Sequence, residues 1–335
     1  MIHYLYTILL SNNPNISIFK VLLMIVIIYI IFLFITKYKY QNLANNSNKY
    51  RIEGFSQNDR FVLKTDDNIY DDFYSDIHDN IHLPSQRIGY ELIKVIKMTE
   101  PNYQNSVFLD VGSGTGSQTN ELNQAGYRVY GIDKSSAMVS KSEEKYSKCQ
   151  FKCGDVLEPM TFEKGTFTHV LCTYFTIYHF KDKRAFFENC YFWLQPNGYL
   201  ILHLVNPNKY DAIMPIAKVG FQLNPINPYS DPHEFESSRI TDSIVDFSDF
   251  QYKSEYAFPT TTTSTITNTC VKLKETFKDN KSGKIRQNER TMYMDSIEEI
   301  IGLASRIGFI VKGYADLKKS EVGDENQFLY ILEKI

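Results

Sequence analysis

VFLDVGSGTG, residues Val107–Gly116, decides the fold of this chain. An apolar run ends in Asp110 and is followed at once by Gly112, Gly114 and Gly116. A buried strand breaking into a glycine turn and then a helix brings backbone N–H groups against a ligand, because glycine alone lets the main chain approach without a Cβ. The stretch reads as a nucleotide-type cofactor site.

Working outward, strand patterns alternate with helical ones. A helix is expected from Ser117 to Ala125 with Gly126 as its stop, then a strand over Arg128–Ile132 and a helix over Ser136–Tyr146. A short strand at Gln150–Lys152 leads into Gly154, Asp155 and Val156. A fourth strand follows at His169–Thr173, a helix at Lys181–Leu194 and a fifth strand at Tyr199–Val205. Such alternation implies βαβ units and a parallel sheet with helices on both faces. Upstream, Ser85–Met98 carries Ile88, Leu92, Ile93 and Ile96 at helical spacing. Asp133 closes the second strand about twenty residues after the glycine turn, where a carboxylate can accept ribose hydroxyls.

After Val205 the pattern changes. Prolines crowd Asn206–Tyr229, and from about Phe250 to Met294 the residues are β-rich, with Val271, Leu273 and Phe277 alternating and a turn at Asp279–Gly283. Regular order resumes with a helix at Ser296–Ile307 and strands at Phe309–Tyr314 and Phe328–Leu332. The expected organisation is an N-terminal segment over 1–40, a linker over 41–65 and a catalytic body over 66–335, with 206–294 as a β-rich cap inserted after the fifth strand.

The N-terminal segment holds the apolar run Val21–Ile35, which approaches the roughly twenty residues that span a bilayer. A transmembrane helix is expected over about 16–36. Lys37, Lys39, Lys49 and Arg51 follow the run and only Lys20 precedes it at close range, so the positive-inside rule predicts a single-pass membrane protein with a cytosolic body. No small-x-small site follows the run, which weighs against a signal peptide.

Composition narrows the function classes. The 335 residues carry a formal net charge of −3, so nothing supports non-specific nucleic-acid binding. Five cysteines without a paired framework fit a reducing compartment, and Cys149 and Cys153 lack the second pair that a zinc site requires. No metal is expected.

The turn is G-x-G-x-G with an acid just ahead of it, rather than the G-x-G-x-x-G of dinucleotide enzymes. In this it resembles the class I S-adenosylmethionine-dependent methyltransferases, over roughly Asp66 to the C-terminus. The resemblance implies a Rossmann-like seven-stranded sheet whose last strand is antiparallel, with S-adenosylmethionine as cofactor. It implies that Asp110, Gly112, Gly114 and Gly116 hold the methionine part, Asp133 the ribose hydroxyls and Asp155 the adenine amino group, with Val156 beside the ring. Cys172–Phe180, with Tyr174, falls where these enzymes touch cofactor and substrate. Among them the chain looks most like small-molecule enzymes such as glycine-type and amino-sugar N-methyltransferases, which have an aromatic lid like YDDFY at Tyr70–Tyr74. The Asn/Asp-Pro-Pro-Tyr/Phe signature of many nucleic-acid and glutamine methylases is missing, so a small-molecule amine or hydroxyl is the expected acceptor. A degenerate, membrane-tethered interaction module and a nicotinamide oxidoreductase are the alternative readings.

Methyl transfer from a sulfonium is an in-line displacement, so positioning and exclusion of water carry most of it, and an amine or hydroxyl acceptor also needs a base. His179, just after the fourth strand, is the first candidate base, with Tyr178 shaping the same pocket. His203 and His169 lie within strands and read as structural. His78 and His82 share a helix face without the carboxylate pattern of a zinc site. Tyr70, Phe73 and Tyr74 are expected to form a lid over the adenosyl group, since aromatic faces attract a sulfonium. Lys281, Lys284, Arg286 and Arg290 read as a solvated face around the late hairpin.

Overall fold

The computed structural model describes residues 20–32, 34–35, 55, 57–210, 212, 214–217, 242–257, 270–320 and 323–335. The folded body begins with strand β1 (Phe61–Thr65), which joins a second sheet, and helix α1 (Asp72–His82). Asp71 caps α1 by accepting the Tyr74 N–H at 3.2 Å. Helix α2 (Ile88–Thr99) follows, burying Ile88, Leu92 and Val95 against the main sheet.

That sheet is built from β2 (Val107–Val111), β3 (Arg128–Asp133), β4 (Gln150–Cys153), β5 (Phe167–Cys172) and β6 (Leu194–Val205), which pair in parallel. The connecting helices are α3 (Ser117–Gln124), α4 (Ser136–Lys145) and α5 (Lys183–Trp193). All five residues of β2 are buried, as expected of a central strand covered on both faces. The strand expected from Tyr199 begins earlier, so Pro196, Asn197 and Gly198 lie inside β6, with Asn197 at φ 60°.

The rest of the chain adds a second sheet and then completes the first. Strands β7 (Asp242–Asp246), β8 (Phe250–Ala257), β9 (Cys270–Asp279) and β10 (Ile285–Tyr293) are antiparallel. Helix α6 (Ile297–Ile307) then starts from a Ser296–Glu299 capping box. Strands β11 (Phe309–Asp316) and β12 (Gln327–Lys334) close the main sheet in the order β11-β12-β6-β5-β2-β3-β4, with β12 antiparallel to both neighbours. The seven strands and the antiparallel last strand agree with expectation.

The second sheet runs β1-β10-β9-β8-β7, with β1 parallel to β10. Phe61–Thr65, at the end of the stretch read as a linker, is therefore a strand whose partner lies more than 200 residues downstream. Short strands with distant partners leave no local signal. The inner face of this sheet buries Phe250, Tyr252 and Phe277 against Phe73, Tyr74 and Ile77 of α1. The β-rich segment thus packs on the same helix that borders the glycine turn.

One expectation finds no support among the described residues. Residues 20–32 and 34–35 are helical with exposed side chains such as Val21 and Ile28, but among the described residues no helix is long and apolar enough to cross a membrane. The other parts of the expected 16–36 span, and most of the expected linker, lie outside the described residues.

Candidate active site

All three turn glycines have positive φ: 65° at Gly112, 55° at Gly114 and 84° at Gly116. This left-handed backbone is strained for any residue with a Cβ. Gly112 and Ser113 donate their N–H groups to the Ile132 carbonyl at 2.8 and 3.0 Å, locking the turn to the end of β3. Gly114 N–H donates to Oδ2 of Asp133 at 2.9 Å, and Ser135 N–H donates to Oδ1 at 2.9 Å. The Asp133 carboxylate is thereby fixed beside the turn, with lone pairs left for a ligand's hydroxyls. Burial raises its pKa, and the two backbone bonds oppose the rise.

Asp110 has a different task. It is buried and accepts bonds from Gln118 Nε2 at 2.9 Å and Thr119 Oγ1 at 2.8 Å, tying the start of α3 to the end of β2. Burial pushes its carboxyl up to about 6 against those two bonds. Gly116 also serves packing: a Cβ there would sit 2.6 Å from Phe151 Cζ and 2.9 Å from Ser142 Cβ.

The turn opens on a cavity of about 630 Å³, in the range of small-molecule and cofactor sites. Of the residues singled out in the sequence, Asp110, Gly112, Gly114, Asp133, Asp155, Val156, Tyr174 and His179 line it. Three do not. Gly116 stands behind the turn. The Tyr178 hydroxyl is buried and bonded to Val205, donating to its carbonyl at 3.4 Å and accepting its N–H at 2.9 Å. Tyr74 is buried, its hydroxyl donating to Glu275 at 3.0 Å and meeting His82 Nε2 at 3.1 Å.

Tyr70 takes the place expected of Tyr74. The segment Asp66–His82 is strapped over the cofactor side by several contacts. Ser135 Oγ donates to the Tyr70 carbonyl at 2.6 Å, Thr115 Oγ1 donates to Asp79 at 2.5 Å, and ion pairs of 2.8 Å join Lys134 to Asp67 and Lys141 to Asp76. Lys134 also reaches Asp155 at 3.1 Å, so it bridges the strap and the Gly154–Val156 loop. This holds the Tyr70 ring at the cavity wall, its hydroxyl 3.3 Å from Nδ1 of His179. Burial, with Arg290 and Lys183 nearby, lowers the His179 imidazole to about 3, so it is neutral at physiological pH.

The remaining histidines divide between core and wall. His169 Nδ1 lies 2.8 Å from Thr168 Oγ1 and the ring stacks on Phe108 at 4.4 Å, while His203 is buried in β6. His78 and His82 stack with centroids 4.4 Å apart, and both line the cavity. Among the described residues no group of His, Cys, Asp or Glu could hold a metal ion.

Two arginines were hidden from sequence reading. Arg286 and Arg290, read as part of a solvated face, are buried, because the alternation of β10 turns even-numbered side chains inward. Arg290 lines the cavity, as does Arg87 from the N-cap of α2. The inward positions Arg286, Asn288 and Arg290 are all polar, so no apolar alternation marked them in the sequence, and which face is covered depends on α1.

Comparison with known proteins agrees with this geometry. Residues 109–202 match the family model described as methyltransferase domain. A phosphoethanolamine N-methyltransferase of Plasmodium falciparum (isolate 3D7) is 32% identical over 120 residues, covering 34% of this chain and 44% of that relative. The chain thus spans less than half the length of that relative. Among solved structures, the CcbJ methyltransferase from Streptomyces caelestis superposes with a TM-score of 0.56 at 14% identity, covering 79% of this chain and 97% of that one. An S-adenosylmethionine-dependent methyltransferase from Clostridium acetobutylicum ATCC 824 gives 0.54 at 14% identity, covering 78% and 97%. Residues 109–202 thus match a methyltransferase domain, and the described body shares the fold of these solved methyltransferases.

Proposed function

We propose that this protein transfers a methyl group from S-adenosylmethionine to a small-molecule acceptor, with an amine nitrogen preferred over a hydroxyl. The observation that carries the reading is the Tyr70–His179 pair, which lines the same cavity as the glycine turn and Asp133. The name of the P. falciparum relative favours an amine.

The residues fit the cofactor. Asp133, already oriented by Gly114 and Ser135, has acceptor capacity for two ribose hydroxyls. Gly112 and Gly114 leave the wall free of side chains, and Val156 supplies an apolar surface. When bound, the cofactor supplies a methyl group on a positively charged sulfur. Tyr70 and His179 handle the proton that an amine must lose. As the N–C bond forms and the S–C bond breaks, the surplus proton on nitrogen passes to the Tyr70 oxygen, and the Tyr70 hydroxyl proton passes to Nδ1 of His179. Burial keeps the imidazole neutral, so its Nδ1 lone pair is open to the Tyr70 proton, which is released again from Nε2 rather than held on the ring. The strap over Asp66–His82 keeps water from the reacting atoms.

The test is transfer of labelled methyl from S-adenosylmethionine to a panel of small amines and alcohols, beside calorimetry with S-adenosylhomocysteine. Saturable binding of the product cofactor and label on an amine are expected. A folded chain that binds no S-adenosylhomocysteine would overturn the reading and leave an interaction module in its place.

A further inference from the structure

Two buried guanidinium groups line the cavity with donors left over. Arg87, 8% exposed, donates Nη1 to Glu91 at 2.5 Å, while its Nε finds no partner among the described residues. Its guanidinium carbon sits 4.3 Å from the centre of the Tyr174 ring. Arg290, 6% exposed, donates Nη2 to the Tyr74 hydroxyl at 3.1 Å and to Glu275 at 3.5 Å, and its Nε also lacks a partner among the described residues. Its guanidinium lies 4.8 Å from the centre of the Tyr70 ring. Tyr70 and Tyr174 both face the cavity, so each arginine is laid along one of its aromatic walls.

A buried donor without an acceptor is costly, and native structures rarely keep one without a reason. The partner acid of Arg87 does not cancel its charge at every pH: burial pushes Glu91 up to about 7 although Arg87 opposes the shift. Position also separates Arg87 from the glycine turn and from Asp133 and Asp155. Arg87, Tyr174, Phe175, Met214 and Tyr256 line a small adjoining cavity of about 20 Å³ as well as the main one, and none belongs to the glycine turn or to the Asp133 and Asp155 loops. This is the end left for the acceptor.

We infer that the acceptor carries an acid group, a phosphate or a carboxylate, in addition to the atom that is methylated, and that Arg87 and Arg290 seat it. Guanidinium forks match the paired oxygens of both anions, and stacking on Tyr174 and Tyr70 holds the forks in place. The inference rests on the methyl-transfer reading and names the substrate class of that site: small amino acids or amino phosphates, rather than neutral amines.

The experiment titrates the full chain, with and without S-adenosylhomocysteine, with inorganic phosphate and separately with acetate. Saturable binding of at least one anion is expected, phosphate preference indicating a phosphorylated acceptor and acetate preference a carboxylate. Arg87→Gln and Arg290→Gln should each weaken that binding by about tenfold or more, the loss of one charge-assisted contact. Glu91→Gln, which removes the competing acid without removing the cation, should strengthen it, so a positive change is available even if an arginine variant folds poorly. S-adenosylhomocysteine affinity should be the same in all three variants. No saturable binding of either anion, or equal binding by wild type and both arginine variants, overturns the anion seat. Anion binding with no S-adenosylhomocysteine binding would instead overturn the methyl-transfer reading and leave the seat standing.

Discussion

The hydroxyl of Tyr70 lies 3.3 Å from Nδ1 of His179, although 109 residues separate them in the chain. One comes from the strap ahead of α1 and the other from the loop after β5, and they meet only because the strap is pinned to Ser135, Lys134 and Thr115 beside the glycine turn.

Tyr70→Phe and His179→Ala are each expected to lower kcat by about 10²–10⁴, the span of general acid–base contributions. Affinity for S-adenosylhomocysteine should change little. Single-turnover methyl transfer beside calorimetry separates the two, and a His179→Ala enzyme with normal turnover would remove the pair from the chemistry. Tyr178→Phe, in contrast, should act on stability, because the Tyr178 hydroxyl is bonded to Val205 and does not face the cavity.

Asp133→Ala removes an acceptor for the ribose and at the same time frees the N–H groups of Gly114 and Ser135. Cofactor affinity should fall by about 1.5–3 kcal/mol for each charged hydrogen bond lost. Calorimetric affinity within twofold of wild type would show that the ribose is held elsewhere.

The turn glycines should separate stability from binding. Gly116→Ala would place a Cβ 2.6 Å from Phe151 Cζ and 2.9 Å from Ser142, at φ 84°, so it should destabilise by about 1–3 kcal/mol. Gly114→Ala meets only His78 at 3.7 Å and should chiefly weaken cofactor binding. Urea unfolding and S-adenosylhomocysteine titration of both variants make the comparison. Equal loss of stability in the two would contradict it.

Acid should destabilise the fold. Burial depresses His169 to about 4 and His179 and His203 to about 3, and lowers His82 as well. Below pH 6.5 the unfolded chain binds protons on these side chains that the native state refuses, so stability is lost as pH falls from 6.5 toward 4. Glu91, up to about 7, and Asp110, up to about 6, act oppositely because their native forms take protons first. Four histidines outweigh the two acids. The urea midpoint is expected to drop between pH 7 and pH 5, and a rise would reverse the assignment.

The main sheet was legible because its signals are local. A run of β-branched and aliphatic residues, a turn that needs positive φ and a helix cap each depend on a few neighbouring residues, so VFLDVGSGTG and the strands after it could be placed from sequence. The late hairpin was legible for the same reason, from the alternation at Val271, Leu273 and Phe277 and from the Asp279–Gly283 turn.

What sequence by itself determined about this protein is therefore one wall of the cavity: the glycine turn, Asp133, Asp155, Val156 and the loop that carries His179. Only the tertiary structure decided which aromatic residue of YDDFY faces the cavity, choosing Tyr70 and burying Tyr74, since adjacent turns of a strap can point either way until a second sheet covers one face. It also decided that Phe61–Thr65 is a strand, and that Arg87 and Arg290 line the cavity. Each of these depends on contacts between segments far apart in the chain, set by packing of α1 between the two sheets, and no local preference of the residues themselves encodes that choice.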